Sequence, residues 1–561
     1  MTDSSNPNQE APSPDRVVII GGGFAGAFTA RYLRRLLGAA IEIELINDTN
    51  YFVFQPLLPE VAAGIIAAPD AVTPLRVMLP GVRVRMGRAY KVDFERRVVT
   101  LVQGTKRVPI ELNYDHLVLA TGQRSNLDLL PGFSEHSLSM KNLSDAHVLR
   151  NHVIQCLEHA DVTEDAALKQ RLLTFVVAGG GFSGVETMGE VAEMIRRTLP
   201  LYPNISKDEL RPILIQRGER LLPELPAGLG GYSQQQLAKR GIDIRLNTGI
   251  AGASAQAVEL DDGTSIETLT LVSTIANGPT EFVTQLGIEL ERGKLPTDAF
   301  LHLRGHDRVW AVGDGAAVVH NPETQALAPP TAQFATAQAE CLAVNIGATI
   351  QGRTLSAFAF EPKGALASLG HYSAVAQLYG VRISGLLAWF IWRGFYILRL
   401  PGFATKVRVT LNWFFDYFLP RNTVQIQTST ARATRYVRVK KGERLFAPGQ
   451  LPDGFYAVVE GLLESRVGEN AAATGEASCS DGDYVRLLGP GDHWGERTLT
   501  ADLATKGSLV AKEDSLVLVL NGSDFKQLRH SLPMLDRYFD QIPEDAYPQA
   551  LRNNNRTGDT R

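Results

Sequence analysis

The chain has 561 residues, too many for a single domain at about 100–200 residues per domain. Hydrophobic residues make up 44% and charged residues 21%, which excludes wholesale disorder, and a net charge of −4 argues against nucleic acid as a partner. Three scattered cysteines, Cys156, Cys341 and Cys479, exclude a disulfide scaffold and a vicinal redox pair, and no metal site is expected.

Residues 1–15 are polar, rich in Pro and Ser, and read as a disordered tail without a secretory signal. No stretch reaches the roughly 18 uncharged apolar residues that a membrane-spanning helix needs. Residues 16–20 (RVVII) read as a buried parallel strand, followed by GGGFAG and the helical pattern AFTARYLRRLL. Gly21, Gly23 and Gly26 fit GxGxxG in strand–turn–helix context, where the helix N-terminus offers free N–H groups to a pyrophosphate. A second strand at 41–46 ends at Asn47 and Asp48, where a ribose-binding acid is expected. The pattern repeats at 175–178 (FVVA) with GGGFSGVE and its helix, giving Gly179, Gly181 and Gly184. The strand at 213–215 then ends at Gln216 and Arg217. One GxGxxG is weak evidence; two in matching context predict two dinucleotide-binding domains. Two further strands end in small turns, DHLVLATG at 115–122 and VWAVGDGA at 309–316.

With these motifs the sequence resembles the flavoproteins with two dinucleotide-binding domains. The resemblance implies FAD in the first domain, with Thr121 and Gly122 closing on it and Asp314 bonding its ribityl and pyrophosphate region. A closer resemblance, over residues 15–427, is to the type II NADH dehydrogenases, single-chain NADH:quinone oxidoreductases of membrane surfaces. It is carried by NYFVFQPLLPEVAAG (50–64), RNHVIQCLEHA (150–160), GGGFSGVETMGEVAE (179–193), APPTAQFATAQAE (328–340) and KGALASLGHYSAVAQLYGVRISGLLAW (363–389). Related reductases that work through cysteine pairs do not fit, and Cys156 and Cys341 read as ordinary buried thiols.

The resemblance assigns Glu186 to the nicotinamide and flavin, and Gln333, Gln338 and Lys363 to the quinone carbonyls. A helix starting near Thr331, with Ala332 in its first turn, would aim its positive end at the flavin. Two departures stand out. Ala337 replaces one of two adjacent glutamines of the family pattern AQxAxQQ. Gln216 replaces the glutamate that by the resemblance pairs with the adenosine ribose, so NADPH is expected as well as, or instead of, NADH, with Arg217 available to a 2′-phosphate.

Residues 386–419 hold 11 of the 43 aromatics and three of the five tryptophans. Between 382 and 421 stand six basic residues and one acid. Two short helices around Pro401-Gly402, lying on an anionic membrane surface, are expected; removing 386–419 should leave a soluble active enzyme. A dimer interface or buried core helices remain open for the same segment.

From about 428 the pattern turns to short strands between Gly, Pro and Asp turns. KKGE, APGQ, FYAVVEG, LGPGDHWGE and DSLVLVL resemble the cyclic-nucleotide-binding domain. By that resemblance Gly495 and Glu496 bond the nucleotide ribose, while Lys506 stands where the phosphate-clamping Arg belongs and lacks its fork. A weak ligand site and a degenerate domain kept for protein contacts both remain open.

The expected fold is α/β with two Rossmann-like domains, a membrane-surface segment and an appended all-β roll. Its parts are a tail (1–15), the FAD domain (16–145 and 279–365), the NAD(P)H domain (146–278), the membrane segment (366–427), the roll (428–545) and a tail (546–561). Expected partners are a membrane quinone and an anionic membrane surface at the cytoplasmic face of the plasma membrane. A homodimer and a cyclic nucleotide are further candidates. A soluble reductase of a protein acceptor and a redox-sensing regulator are the alternative readings.

Overall fold

The run Val17–Val18–Ile19–Ile20 has no polar position, so its strand can sit only where both sheet faces are covered. In the computed structural model it does. The structure describes residues 14–104, 108–275, 277–321, 323–362, 364–425, 434–448, 454–467, 484–495, 507–521 and 525. Strand β1 (Asp15–Ile20) pairs in parallel with β2 (Ile41–Asn47) and β3 (His116–Leu119). The full sheet runs Val309–Ala311, β3, β1, β2, Arg83–Asp93, Val98–Gln103, Val108–Asn113, the last two strands antiparallel to their neighbours. Helix α1 (Phe24–Leu37) follows the first glycine turn, and the short helix α2 (Leu58–Ala62) lies in the apolar segment after β2.

The chain leaves this domain through Arg124–Ser125 and returns through Asn277–Gly278, and the two crossovers pair antiparallel. Between them stands a parallel sheet in the order Ser137–Ser139, Thr270–Ser273, β4 (Thr174–Ala178), β5 (Arg211–Ile215), Asp243–Arg245. Ser137–Ser139 already belongs to this second sheet, so the second domain begins before the expected boundary at 146; three residues with little hydrophobic pattern gave no sign of it. Helix α3 (Leu143–Val162) carries a capping box at Asn142, and α4 (Phe182–Thr198) follows the second glycine turn.

Back in the first domain, α5 (Ala332–Ile350) packs along α1, its N-cap being Thr331. An antiparallel sheet (Gly364–Gly370, Ser373–Leu378, Val381–Gly385) then lies against α4. It leads into α6 (Leu386–Arg399) and α7 (Phe403–Phe418), separated at Pro401-Gly402 as expected. Among the described residues no helix is long and apolar enough to cross a membrane.

Among the described residues the C-terminal module shows two four-stranded antiparallel sheets closing on a core of Val439, Phe446, Tyr456, Val458, Leu463, Leu488, Leu509 and Val517. It touches the second domain where Arg438 N–H donates to His136 Nε2 (2.9 Å) and Ser254 Oγ donates to Glu443 Oε1 (2.7 Å). Gly495 is described; Glu496, Lys506, Cys479, Lys363, residues 1–13 and residues 546–561 lie outside the described residues.

Candidate active site

Both glycine turns are built alike. In the first, Gly21 N–H donates to Ile46 O (2.9 Å) and Gly22 N–H to Asn47 Oδ1 (2.7 Å). In the second, Gly179 N–H donates to Ile215 O (2.8 Å) and Gly180 N–H to Gln216 Oε1 (2.9 Å). A Cβ on Gly26 would fall 1.9 Å from Gly21 O, and one on Gly184 1.8 Å from Gly179 O, so each helix closes on its turn only as glycine. Gly23 and Gly181 are the N-caps of α1 and α4, with no side chain bonding the first-turn N–H groups. Open space lies in front of Gly23, and only Glu224 Oε1 borders Gly181. Each helix therefore presents free donors and a positive dipole end to an anion.

Asn47 and Gln216 thus hold equivalent posts, each spending its side-chain oxygen on a glycine-loop N–H. The Asn47 amide nitrogen donates to Thr49 O (3.0 Å) and Thr49 Oγ1 (2.9 Å), so its bonding is largely internal. Arg217 is exposed, and it borders Gly249 together with the Asp261 carboxylate.

Three turns meet beside the first glycine loop. Thr121 Oγ1 is buried and, among the described residues, has no hydrogen-bond partner, an orphaned polar atom of the kind a ligand can satisfy. A Cβ on Gly315 would lie 2.5 Å from Gly122 O, so the turn carrying Asp314 abuts the Thr121–Gly122 turn. Asp314 Oδ2 lies 3.9 Å from Lys141 Nζ. Gln338 is 1% exposed, and its side-chain oxygen accepts from Gly313 N–H (2.7 Å). That bond braces the turn before Asp314 and does not use the Gln338 amide N–H groups expected to serve a quinone carbonyl. Gln333, half-buried one turn earlier, donates from Nε2 to Gly364 O (2.9 Å). Ala332 opens α5 beside it.

Glu186 lies in the first part of α4, 7% exposed. Its Oε1 accepts from Ser368 N–H (2.9 Å) and from the Trp392 indole (3.3 Å). Burial, more than the neighbouring acids, pushes its carboxyl up to about 8. One turn on, Glu190 accepts from Ser368 Oγ (2.9 Å), and burial raises it too. Glu60, on α2, accepts from the Trp413 indole (2.7 Å), lies 3.6 Å from Arg393, and is pushed up to about 8 by burial. Arg393 stacks between the Trp389 and Trp413 rings, 4.0 and 4.6 Å from their centroids.

This buried acid cluster changes the reading of the C-terminal helices. Trp389, Trp392 and Trp413 point inward, and so do Arg393 and Arg421. Removing 386–419 would take the Trp392 indole from Glu186 and the Trp413 indole and Arg393 from Glu60, so a soluble active truncation is not to be expected. Glu60, Glu190, Arg393 and Lys141 escaped the sequence reading. The one signal for Glu60 and Glu190 was an acid inside an apolar helix, as in PLLPEVAAG. Cys156 is buried and its thiol is pushed up to about 11 by burial, while Cys341 is only partly buried.

Two dinucleotide folds, each with a helix N-terminus free of side-chain caps, and a buried, unpartnered Thr121 hydroxyl fit a protein that binds two dinucleotides, as flavin- and pyridine-nucleotide-dependent reductases do. Residues 15–339 match the pyridine nucleotide-disulphide oxidoreductase family, 363–422 the NDH2 C-terminal domain, and 436–531 the cyclic nucleotide-binding domain. The chain is 31% identical over 468 residues to the type II NADH:quinone oxidoreductase Ndh of Mycobacterium tuberculosis, covering 80% of this chain and 98% of that protein. It is 28% identical over 407 residues to the demethylphylloquinone reductase NdbB of Synechocystis, covering 71% and 95%. In fold it is similar to NDH2 from Plasmodium falciparum in complex with NADH, with a TM-score of 0.68, 18% identity, and 73% and 99% coverage. The chain belongs to the type II NADH:quinone oxidoreductases. FAD held in the first nucleotide domain would supply the hydride acceptance and two-electron transfer that link NADH to a quinone.

Proposed function

We propose that this enzyme reduces a membrane quinone at the surface of an anionic membrane, as a peripheral protein on the cytoplasmic face of the plasma membrane. The observation that carries the reading is the two-sidedness of α6 and α7. Their inner face holds the tryptophans and the Arg393–Glu60 pair. Their outer face leaves Leu387, Phe390, Leu398, Phe403, Phe414 and Phe418 exposed, Phe403 at 83%. Arg382, Arg399 and Arg408 are exposed in the same segment. Apolar side chains flanked by arginines suit the headgroup region of an anionic leaflet. The double variant Leu398→Asp/Phe403→Asp is expected to lose co-sedimentation with vesicles containing anionic lipid, yet to keep NADH oxidation with a water-soluble quinone. Unchanged sedimentation, or its replacement by loss of a homodimer in light scattering, overturns the membrane reading.

Within the site, Gly21, Gly23, Gly26, Thr121, Gly122 and Asp314 hold FAD, and Gly179, Gly181, Gly184, Gln216 and Arg217 hold the nicotinamide nucleotide, NADPH included. The neutral Glu186 carboxyl offers a donor to the nicotinamide, its Oε1 being held by Ser368 and Trp392. Gln333 and Lys363 serve the quinone carbonyls, and Gln338 keeps the Asp314 turn in place. The N-terminus of α5 stabilises negative charge on the isoalloxazine.

The β-roll is a regulatory module that takes a cyclic nucleotide through Gly495, Glu496 and Lys506. Titrating the full-length enzyme with cAMP and cGMP by calorimetry is expected to show weak binding to one of them, reflecting Lys in place of the bidentate Arg. Heat-silent titrations with both leave the roll as a protein-contact module.

A further inference from the structure

We infer that Lys141 is a cofactor-positioning residue: it holds the Asp314 carboxylate for FAD and ties that turn to both crossovers between the two nucleotide domains. The inference rests on the reading of Asp314 as a flavin-binding residue.

Lys141 lies just inside the second domain, in the turn between the strand Ser137–Ser139 and α3. Its backbone is fixed from two sides. Lys141 N–H donates to Asp145 Oδ2 (2.9 Å), part of the α3 capping box, and Lys141 O accepts from Gln55 Nε2 (3.3 Å) in the FAD domain. With the backbone pinned, the side chain reaches two further segments. Its ammonium donates to Asn277 Oδ1 (3.3 Å) on the return crossover and pairs with Asp314 Oδ2 at 3.9 Å. Asn277 itself pairs with Ser125 of the outbound crossover. One ammonium thus joins the Gly313–Asp314 turn to both strands on which the NADH domain hangs.

Electrostatics gives the contact a purpose. A bound dinucleotide brings two negative charges on its pyrophosphate, and a carboxylate beside it repels them. The free N–H groups of α1 supply roughly half a positive charge. A full cation at Asp314 removes the remaining conflict and leaves Asp314 Oδ1 to accept from a ribityl hydroxyl. Among the described residues Lys294 also feels Asp314: half-buried, its ammonium is disfavoured by burial and favoured by that carboxylate. The Lys141 and Asp314 side chains are 26% and 22% exposed, so their pairing is less screened than at an open surface.

The decisive measurement is FAD affinity, read by flavin fluorescence quenching on apoprotein from the full-length chain, alongside NADH kinetics of the reconstituted enzyme. Lys141→Met is expected to weaken FAD binding about tenfold and to raise KM for NADH more than it lowers kcat. Lys141→Arg should recover FAD affinity to within about threefold. In an Asp314→Asn background, Lys141→Met should add little, since the lysine acts through that carboxylate. Wild-type FAD affinity in Lys141→Met, with Asp314→Asn still weakened, overturns the role of Lys141. Wild-type affinity in Asp314→Asn overturns the underlying reading of Asp314 instead. Should Lys141→Met fail to fold, Lys141→Gln keeps the side chain polar, removes the charge and carries the same expectations.

Discussion

Gln216→Glu is expected to lower kcat/KM for NADPH about ten- to hundredfold while changing that for NADH less than about threefold. The reasoning starts from the bond that Gln216 already makes. Its Oε1 accepts from Gly180 N–H at 2.9 Å, and a glutamate oxygen can accept the same bond. The substitution therefore leaves the loop intact and changes the charge at the end of β5. Two unit charges 4 Å apart interact by about 1 kcal/mol in water and about 4 kcal/mol at an effective dielectric near 20. Gln216 is half-buried, between these limits, so repulsion of a 2′-phosphate is worth about 1.4–2.8 kcal/mol, the predicted factor. Arg217 acts in the opposite sense: it is exposed and can pair with that phosphate, although the Asp261 carboxylate borders the same glycine and offsets part of its charge. Arg217→Ala should lower NADPH efficiency several-fold without affecting NADH. Steady-state kinetics with both nucleotides decides the matter. A wild-type kcat/KM for NADPH more than about a hundredfold below that for NADH means that the neutral Gln216 confers nothing.

The glycine turns could be read directly from sequence because their constraint is local. Gly26 and Gly184 meet backbone of their own turns, five residues back, at distances no Cβ tolerates. Local rules also placed α6 and α7 and their break, since Pro401-Gly402 ends one helix before the next begins. What local rules could not supply was the direction in which each helix faces. The sequence left Trp389, Trp392 and Trp413 open between a membrane surface and a buried core; two of them meet acids more than 200 residues away in the chain, Trp392 reaching Glu186 and Trp413 reaching Glu60. Periodicity tells which residues share a face, not which partner that face meets. Gln338 shows the same limit: its side-chain oxygen accepts from Gly313 N–H inside the fold, a partner no local pattern announces. The membrane reading now rests on Phe390, Phe403, Phe414 and Phe418, a different set of aromatics on the same helices.

Glu186→Gln is expected to remove most of one proton's worth of pH dependence from folding stability between about pH 5 and 8. Burial pushes the Glu186 carboxyl up to about 8 from its ordinary 4.5. Below the ordinary value both folded and unfolded chains keep the proton, and Glu186 contributes no slope. Between the two values the folded chain holds a proton that the unfolded chain has released. The unfolded state then binds fewer protons, so stability falls as pH rises, by up to about 1.4 kcal/mol per pH unit for one fully coupled group. Above about 8 the folded chain loses the proton as well, and the decline levels off. Glutamine keeps the acceptor for Ser368 N–H and the Trp392 indole but cannot ionise. Relative to wild type, the variant should gain on the order of 2 kcal/mol between pH 5.5 and 7.5, read from denaturant unfolding at each pH. Glu60 carries a slope of the same sign, so the variant's curve flattens without becoming level. The same proton predicts the kinetics. NADH reduction of the flavin, followed by stopped flow, should lose rate above about pH 8 in wild type as Glu186 ionises. In Glu186→Gln that limb should vanish, because the amide remains a neutral donor to the nicotinamide. Glu186→Ala should slow reduction at every pH, since it leaves the Ser368 N–H and the Trp392 indole without their acceptor. A Glu186→Gln enzyme whose stability slope and pH–rate limb both match wild type would show that the proton resides elsewhere in the cluster, with Glu190 the next carboxyl to test.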